Sequence, residues 1–291
     1  PFETLKDENG KYLIEEYNIA YTQSMRVLDL IKDRNYKSDR KPLLAYGGAV
    51  YSEIEYSSDI ISTKEELAFL AKDIYSSFED KRSLRNAYAT LNVAKWNNLP
   101  GTLSEVKNIA KIVSGAKVFT GEVVTENNIK EYSENGELAK YKVIHFATHG
   151  LVVPEMPELS AIVLSQFTNE QGEEDGYLRM AEISKLNFKA DFINLSACET
   201  GLGKIYKGEG VVGLTQSFLI AGANGLSVSL WQVADKSTSE FMVAMYKAVQ
   251  EQEIGYARAI NDIKLRFING EFGNKYKAPF YWAPFVYYGR Y

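Results

Sequence analysis

The sequence predicts an α/β fold, a mainly parallel sheet with helices on both faces. Three observations carry this: short apolar runs that stop at Gly, helical-period segments between those runs, and helix-start signals ahead of two of the segments. Residues 1–40 read as an N-terminal lead-in, in which "SMRVLDLIKD" (24–33) has helical spacing with Met25, Leu28 and Ile31 on one face. "LLAYGG" (43–48) is a short buried strand stopped by two glycines. Residues 49–98 are polar and rich in Tyr and Ser, and read as a variable insertion with one helix near 79–91. "LPGTLSEVKNIAKIV" (99–113) is a helix: Thr102 and Glu105 form a capping box, and Val106, Ile109, Ala110 and Val113 follow at i, i+3, i+4 and i+7.

Strands follow at "KVFTG" (117–121), "KVIHFATHG" (142–150) and "DFINLSA" (191–197). "VVGLTQSFLIAG" (211–222) is a helix closed by Gly222. "GLSVSLWQV" (225–233) alternates as a strand does, and "STSEFMVAMYKAV" (237–249) is a helix opened by a second box, Ser237 with Glu240. "PFVYYG" (284–289) is the last strand. No internal repeat interrupts this order, so one decorated domain is the simplest count.

Composition excludes several function classes. The 33 basic and 38 acidic residues leave a net charge of −5, which gives no electrostatic reason to expect direct nucleic-acid contact. No apolar run reaches the roughly 18 residues of a membrane span. The start "PFETLKDENG" is polar, is no signal peptide, and lacks an initiator Met, which reads as a processed chain or a piece of a longer one. One cysteine makes no internal disulfide and fits a reducing, cytoplasmic setting.

That cysteine is Cys198, in "NLSACETGLG" (194–203). In open α/β sheets, sites lie beyond the carboxyl ends of strands. Two strands here end on chemistry-bearing residues, one on His149-Gly150 and one on Cys198-Glu199. A thiolate is a strong nucleophile, imidazole supplies acid–base help, and backbone N–H groups beside Gly hold an oxyanion. From spacing alone, a buried structural thiol is the simpler reading of Cys198. His145, inside the same strand as His149, reads as a packed or supporting histidine. As metal ligands the two histidines fit poorly, because four strand residues span about 13 Å while zinc needs donors about 2 Å away. "GLGKIYKGEG" (201–210) lacks the phosphate-loop pattern. Residues 199–210 hold four glycines and leave directly from Cys198, so the loop reads either as a gate for the thiol or as an ordinary surface loop.

Taken together, "LPGTLSEV", "IHFATHG", "PELSAIVLS", "LSACETGLGKIYKGEGVVGLTQSFLIAGA", "VSLWQVAD" and "FYWAPFVYYG" resemble the CHAT domain, a caspase-like cysteine peptidase family usually attached to tetratricopeptide repeats in bacteria. The resemblance runs over nearly all of 1–291 and is weakest in 49–98. It implies a caspase-type fold, a mainly parallel six-stranded sheet between helices, with a Cys198–His149 dyad and an oxyanion site at the N–H groups of Gly150 and Cys198. Such a chain is a cysteine endopeptidase acting on a protein substrate without cofactor or metal, governed by an upstream repeat region or regulatory protein that this chain lacks. The family implies roles in bacterial defence and cell death. The runner-up is a non-enzymatic interaction module that keeps the fold. For the substrate pocket the expectation is Glu199, Trp231, Gln232, Val233 and Asp235. Asp235 resembles the acid ending the matching segment of separase, a relative that cuts after Arg, while Trp231 and Val233 leave an apolar pocket open. Asp235 also suits the start of the helix that follows it.

Overall fold

Strands buried on both faces form the centre of the fold, and their ends place the site. The structure, a computed structural model, describes residues 1–51, 88, 96–153, 156–166, 174–196, 198–199, 209–231, 233 and 235–290, with the backbone alone described at Cys198, Glu199, Glu209, Gly210 and Asp235. In chain order the first half holds α1 (Met25–Lys32), β1 (Lys41–Gly47), α2 (Pro100–Ile112), β2 (Lys117–Thr120), α3 (Glu126–Glu134), β3 (Tyr141–Ala147) and β4 (His149–Leu151). Then come β5 (Ala161–Val163), β6 (Tyr177–Arg179), α4 (Met180–Ile183), β7 (Phe192–Leu195), β8 (Cys198–Glu199), α5 (Glu209–Ile220) and β9 (Gly225–Ser229). α6 (Asp235–Gln252), α7 (Tyr256–Ile268), α8 (Pro279–Trp282) and β10 (Phe285–Gly289) complete the chain.

Six strands form the main sheet in the order β10-β9-β7-β3-β1-β2, parallel except for β10. This is the sheet between helices that the sequence implies. Leu44, Tyr46, Ile144, Phe146, Ile193 and Leu195 face one side, with Ile129 of α3, Ile183 of α4 and Phe218 of α5. Their neighbours Leu43, Ala45, Val143, Ala147 and Phe192 face the other, with Val106 of α2, Met242 of α6 and Ile263 of α7. Burying each large apolar side chain contributes about 1.5–3 kcal/mol. A one-residue slip would turn every one of them to the wrong face, so the register is fixed.

A second sheet, β6-β5-β4-β8, sits at the carboxyl end of the first. The predicted strand over 142–150 is therefore two strands. β3 belongs to the main sheet, and β4 leaves it after Thr148 to pair with β5 and β8. The predicted strand over 225–233 stops at Ser229.

Three local expectations change. Met25 is 69% exposed, and Val27 and Ile31 form the buried face of α1. Ser24 caps the helix by accepting from the N–H of Val27 at 3.2 Å, and this cap fixes which face turns inward. Thr102 and Glu105 form no capping box, because α2 already begins at Pro100 after Leu99. Thr102 Oγ1 instead accepts from the N–H of Gly48 at 3.0 Å and donates to Leu99 O at 2.7 Å. That docks α2 on the end of β1, where a Cβ on Gly47 would lie 2.7 Å from Val106. α6 begins at Asp235, so Ser237 is buried within its first turn instead of capping it. The predicted helix near 79–91 lies outside the described residues except for Tyr88, which is fully buried and donates to Leu159 O at 3.0 Å.

Candidate active site

The two sheets meet where β3 and β7 end. The last main-sheet bond between them runs from the N–H of Ser196 to Phe146 O, at 2.9 Å. Three residues beyond Phe146 and two beyond Ser196 a new parallel ladder begins, pairing His149 with Cys198 and Gly150 with Glu199. Paired residues of adjacent strands are neighbours about 5 Å apart. The register thus sets Cys198, the one cysteine of the sequence, opposite the histidine at the matching strand end.

His149 is 5% exposed, and its ring is held from two sides. Its Nε2 lies 2.7 Å from Asn97 O. A carbonyl only accepts, so this contact puts the ring proton on Nε2 and makes Nδ1 the basic nitrogen. The ring centroid is 4.8 Å from that of Trp96 and 5.0 Å from that of Tyr51. Trp96 is held in turn, its indole N–H donating to Tyr177 Oη at 2.9 Å. Tyr51 donates to Val163 O at 3.0 Å, and burial drives its phenol well above the ordinary value. Sequence reading missed Trp96, Asn97 and Tyr51. Asn97 acts through its backbone and leaves no trace in residue type, whereas Trp96 stands out as the single Trp of a polar stretch.

His145, four residues earlier, is fully buried. It pairs in register with Asn194, whose amide lies 3.0 Å from Nδ1. Tyr246 Oη of α6 is 3.1 Å from the same nitrogen. Nε2 sits 2.9 Å from Glu105 Oε1, at ion-pair distance but outside hydrogen-bond alignment. Burial first, then Tyr256 and Glu105, push the Tyr246 phenol far up, so it stays protonated. The sequence did carry a signal for Glu105: with Thr102 and Ile109 it falls on the apolar stripe of α2.

Of the candidate pocket residues, Trp231 and Val233 have described side chains, and Glu199 is placed by its backbone pairing with Gly150. β9 pairs with β7, and α6 starts with Asp235 after it. Val233 is in the core with Phe241 and Met242. Trp231 is half-buried and donates its indole N–H to Phe280 O at 3.0 Å. Gln232 and 200–208 of the loop lie outside the described residues. Among the described residues one acid group has metal-ligand spacing, Glu126, Glu174 and Glu182. Lys130 Nζ already lies 3.0, 2.9 and 2.6 Å from the three carboxylates. The described residues include no helix long and apolar enough to cross a membrane.

Two solved structures resemble this architecture. The Arg-specific cysteine proteinase gingipain R aligns at a TM-score of 0.45 with 11% identity, covering 88% of this chain and 48% of its own. The separase–securin complex of Saccharomyces cerevisiae aligns at 0.46 with 13% identity, covering 94% of this chain and 14% of its own. This chain therefore spans about half of the first and a seventh of the second. No curated protein matches it. The family model described as "CHAT domain" matches residues 1–290, essentially the whole chain, and the protein belongs to the CHAT domain family.

Proposed function

We propose that this CHAT domain is a cysteine peptidase with a Cys198–His149 dyad. The observation that carries the reading is the register that sets His149 against Cys198 at the carboxyl end of a parallel sheet. The Asn97 carbonyl supports it, since a ring protonated at Nε2 offers Nδ1 to the thiol.

The chemistry follows in two steps. Nδ1 takes the thiol proton, and the sulfur attacks the peptide carbonyl carbon. The N–H groups of Gly150 and Cys198 are the donors assigned to the oxyanion. The C–N bond breaks as the imidazolium gives its proton to the leaving amine, and a thioester remains. Water, deprotonated by the imidazole, then attacks the thioester, releasing the acid and returning the thiol. Asp235 is the assigned specificity residue. It starts α6 directly after β9, the neighbour of the strand that leads to Cys198. A carboxylate there favours Arg or Lys before the scissile bond. The substrate is a protein, and an upstream region or partner governs access.

The test is incubation with a peptide library, followed by sequencing of the cut ends. Cuts by the wild type that vanish in Cys198→Ala are expected, with Arg favoured over Leu and that preference lost in Asp235→Ala. A library left whole under all conditions, with a partner retained by the intact domain, would favour the interaction-module reading.

A further inference from the structure

A small cavity lies at the break between the two ladders. It has a volume of about 10 Å³ and is lined by Leu99 and by Gly101, Thr102 and Glu105 of α2, with Thr148 after β3, Ser196 after β7 and Thr238 of α6. Thr148 directly precedes His149, and Ser196 is two residues before Cys198. Three of the lining residues carry buried polar atoms that have no hydrogen bond: Glu105 Oε1, Ser196 Oγ and Thr238 Oγ1. Buried polar groups rarely stay unsatisfied, because each one left so loses its hydration with nothing in return. A space of about one water, lined by two to four polar partners, is what an internal water requires.

The position is as informative as the volume. The main-sheet ladder ends at Ser196, and the next begins at Cys198. Across that gap no described ladder bond joins the two strands. Glu105 reaches both sides of it, touching the His145 ring at 2.9 Å on one side and lining the cavity on the other. We propose that the cavity holds one ordered water, and that this water with Glu105 bridges the buried His145–Asn194 rung to the strand ends carrying His149 and Cys198. Glu105 is a positioning residue for the dyad. The inference rests on the dyad reading for its functional half.

Because the chain has one cysteine, its alkylation by iodoacetamide reports Cys198 without any substrate. Gln at position 105 keeps an acceptor for His145 and for the water, while Leu keeps only the bulk. Glu105→Gln should react within about twofold of wild type, and Glu105→Leu about tenfold slower or worse at unchanged circular dichroism, since small misplacements of reacting groups cost that much or more. Equal rates in the two variants would overturn the positioning role. Thr238→Val removes one water partner with little change of shape and should slow alkylation a few-fold even where Glu105→Leu does not fold. An unchanged rate in Thr238→Val would count against the bridge. A high-resolution crystal structure should show a water within hydrogen-bond reach of Ser196 Oγ and Thr238 Oγ1, and a dry cavity would refute it. A wild-type thiol no more reactive than an unassisted cysteine defeats the dyad reading. An assisted thiol with Leu equal to Gln defeats only the positioning role of Glu105.

Discussion

Two histidines stand four residues apart on one chain path, each opposite a polar residue of the neighbouring strand: His145 with Asn194, and His149 with Cys198. Both are buried. What differs is who holds the ring. His145 is gripped by side chains from three other elements, Glu105, Asn194 and Tyr246. His149 is fixed at Nε2 by a backbone carbonyl and steadied by the faces of Trp96 and Tyr51. Burial alone therefore does not separate a histidine packed as structure from one proposed as a base. The first arrangement holds Nδ1 between Asn194 and Tyr246 and sets Nε2 against Glu105, tying the sheet to two helices. The second sets one tautomer, which is what a base needs.

Exchanging the roles gives the sharpest contrast. Cys198→Ala and His149→Ala should each cut peptide cleavage by about 10²–10⁴-fold, the usual worth of acid–base and nucleophilic groups, while the chains stay folded. His145→Ala should do the reverse. It strips the partner from a buried Glu105 and loosens Asn194 and Tyr246, so urea unfolding should show a loss of about 3 kcal/mol. Measurable cleavage should survive. A stable His145→Ala protein with no activity would invert the comparison. A smaller effect is expected at the wall of the second histidine. Trp96→Ala should lower turnover several-fold, and Trp96→Phe should restore most of it, because the ring contact with His149 and not the indole N–H is what steadies the base. Equal loss in both would point to the Tyr177 bond instead.

The contrast also shows what the sequence made legible. Apolar runs ending in Gly located β1, β2 and β3, and the run "DFINLSA" located β7, because buried parallel strands are written as apolar runs. Motif and strand-end position singled out His149 and Cys198. The split of 142–150 into two strands was not visible, since Thr148 is small, buried and unremarkable in type. Nor was the grip on His149, because a carbonyl belongs to every residue. Glu105 was misread for a physical reason. Thr and Glu three apart suit a capping box, yet Pro100 starts the helix earlier and turns both side chains inward.

The smallest expected effect serves as a control, on the face of the sheet away from His145. Burial, then Asp175 and Glu182, raise the Glu126 carboxyl well above the ordinary 4.5, and Lys130 only partly offsets them. A carboxyl raised in the folded state binds its proton more tightly than in the unfolded chain. Stability is then lost as pH rises from about 4.5 through the raised value. Glu126→Gln should flatten that part of the stability curve and leave the pH dependence of cleavage unmoved. A shift of both would mean that the cleavage profile reports stability and not the dyad.

Most direct is the pH profile of Cys198 alkylation, in wild type and in His149→Ala. An imidazolium beside a thiol lowers its pKa below the ordinary value of about 8.5. The account predicts a wild-type thiol that reacts well below that pH and a His149→Ala thiol that returns to it. Two superimposed profiles near the ordinary value would contradict it.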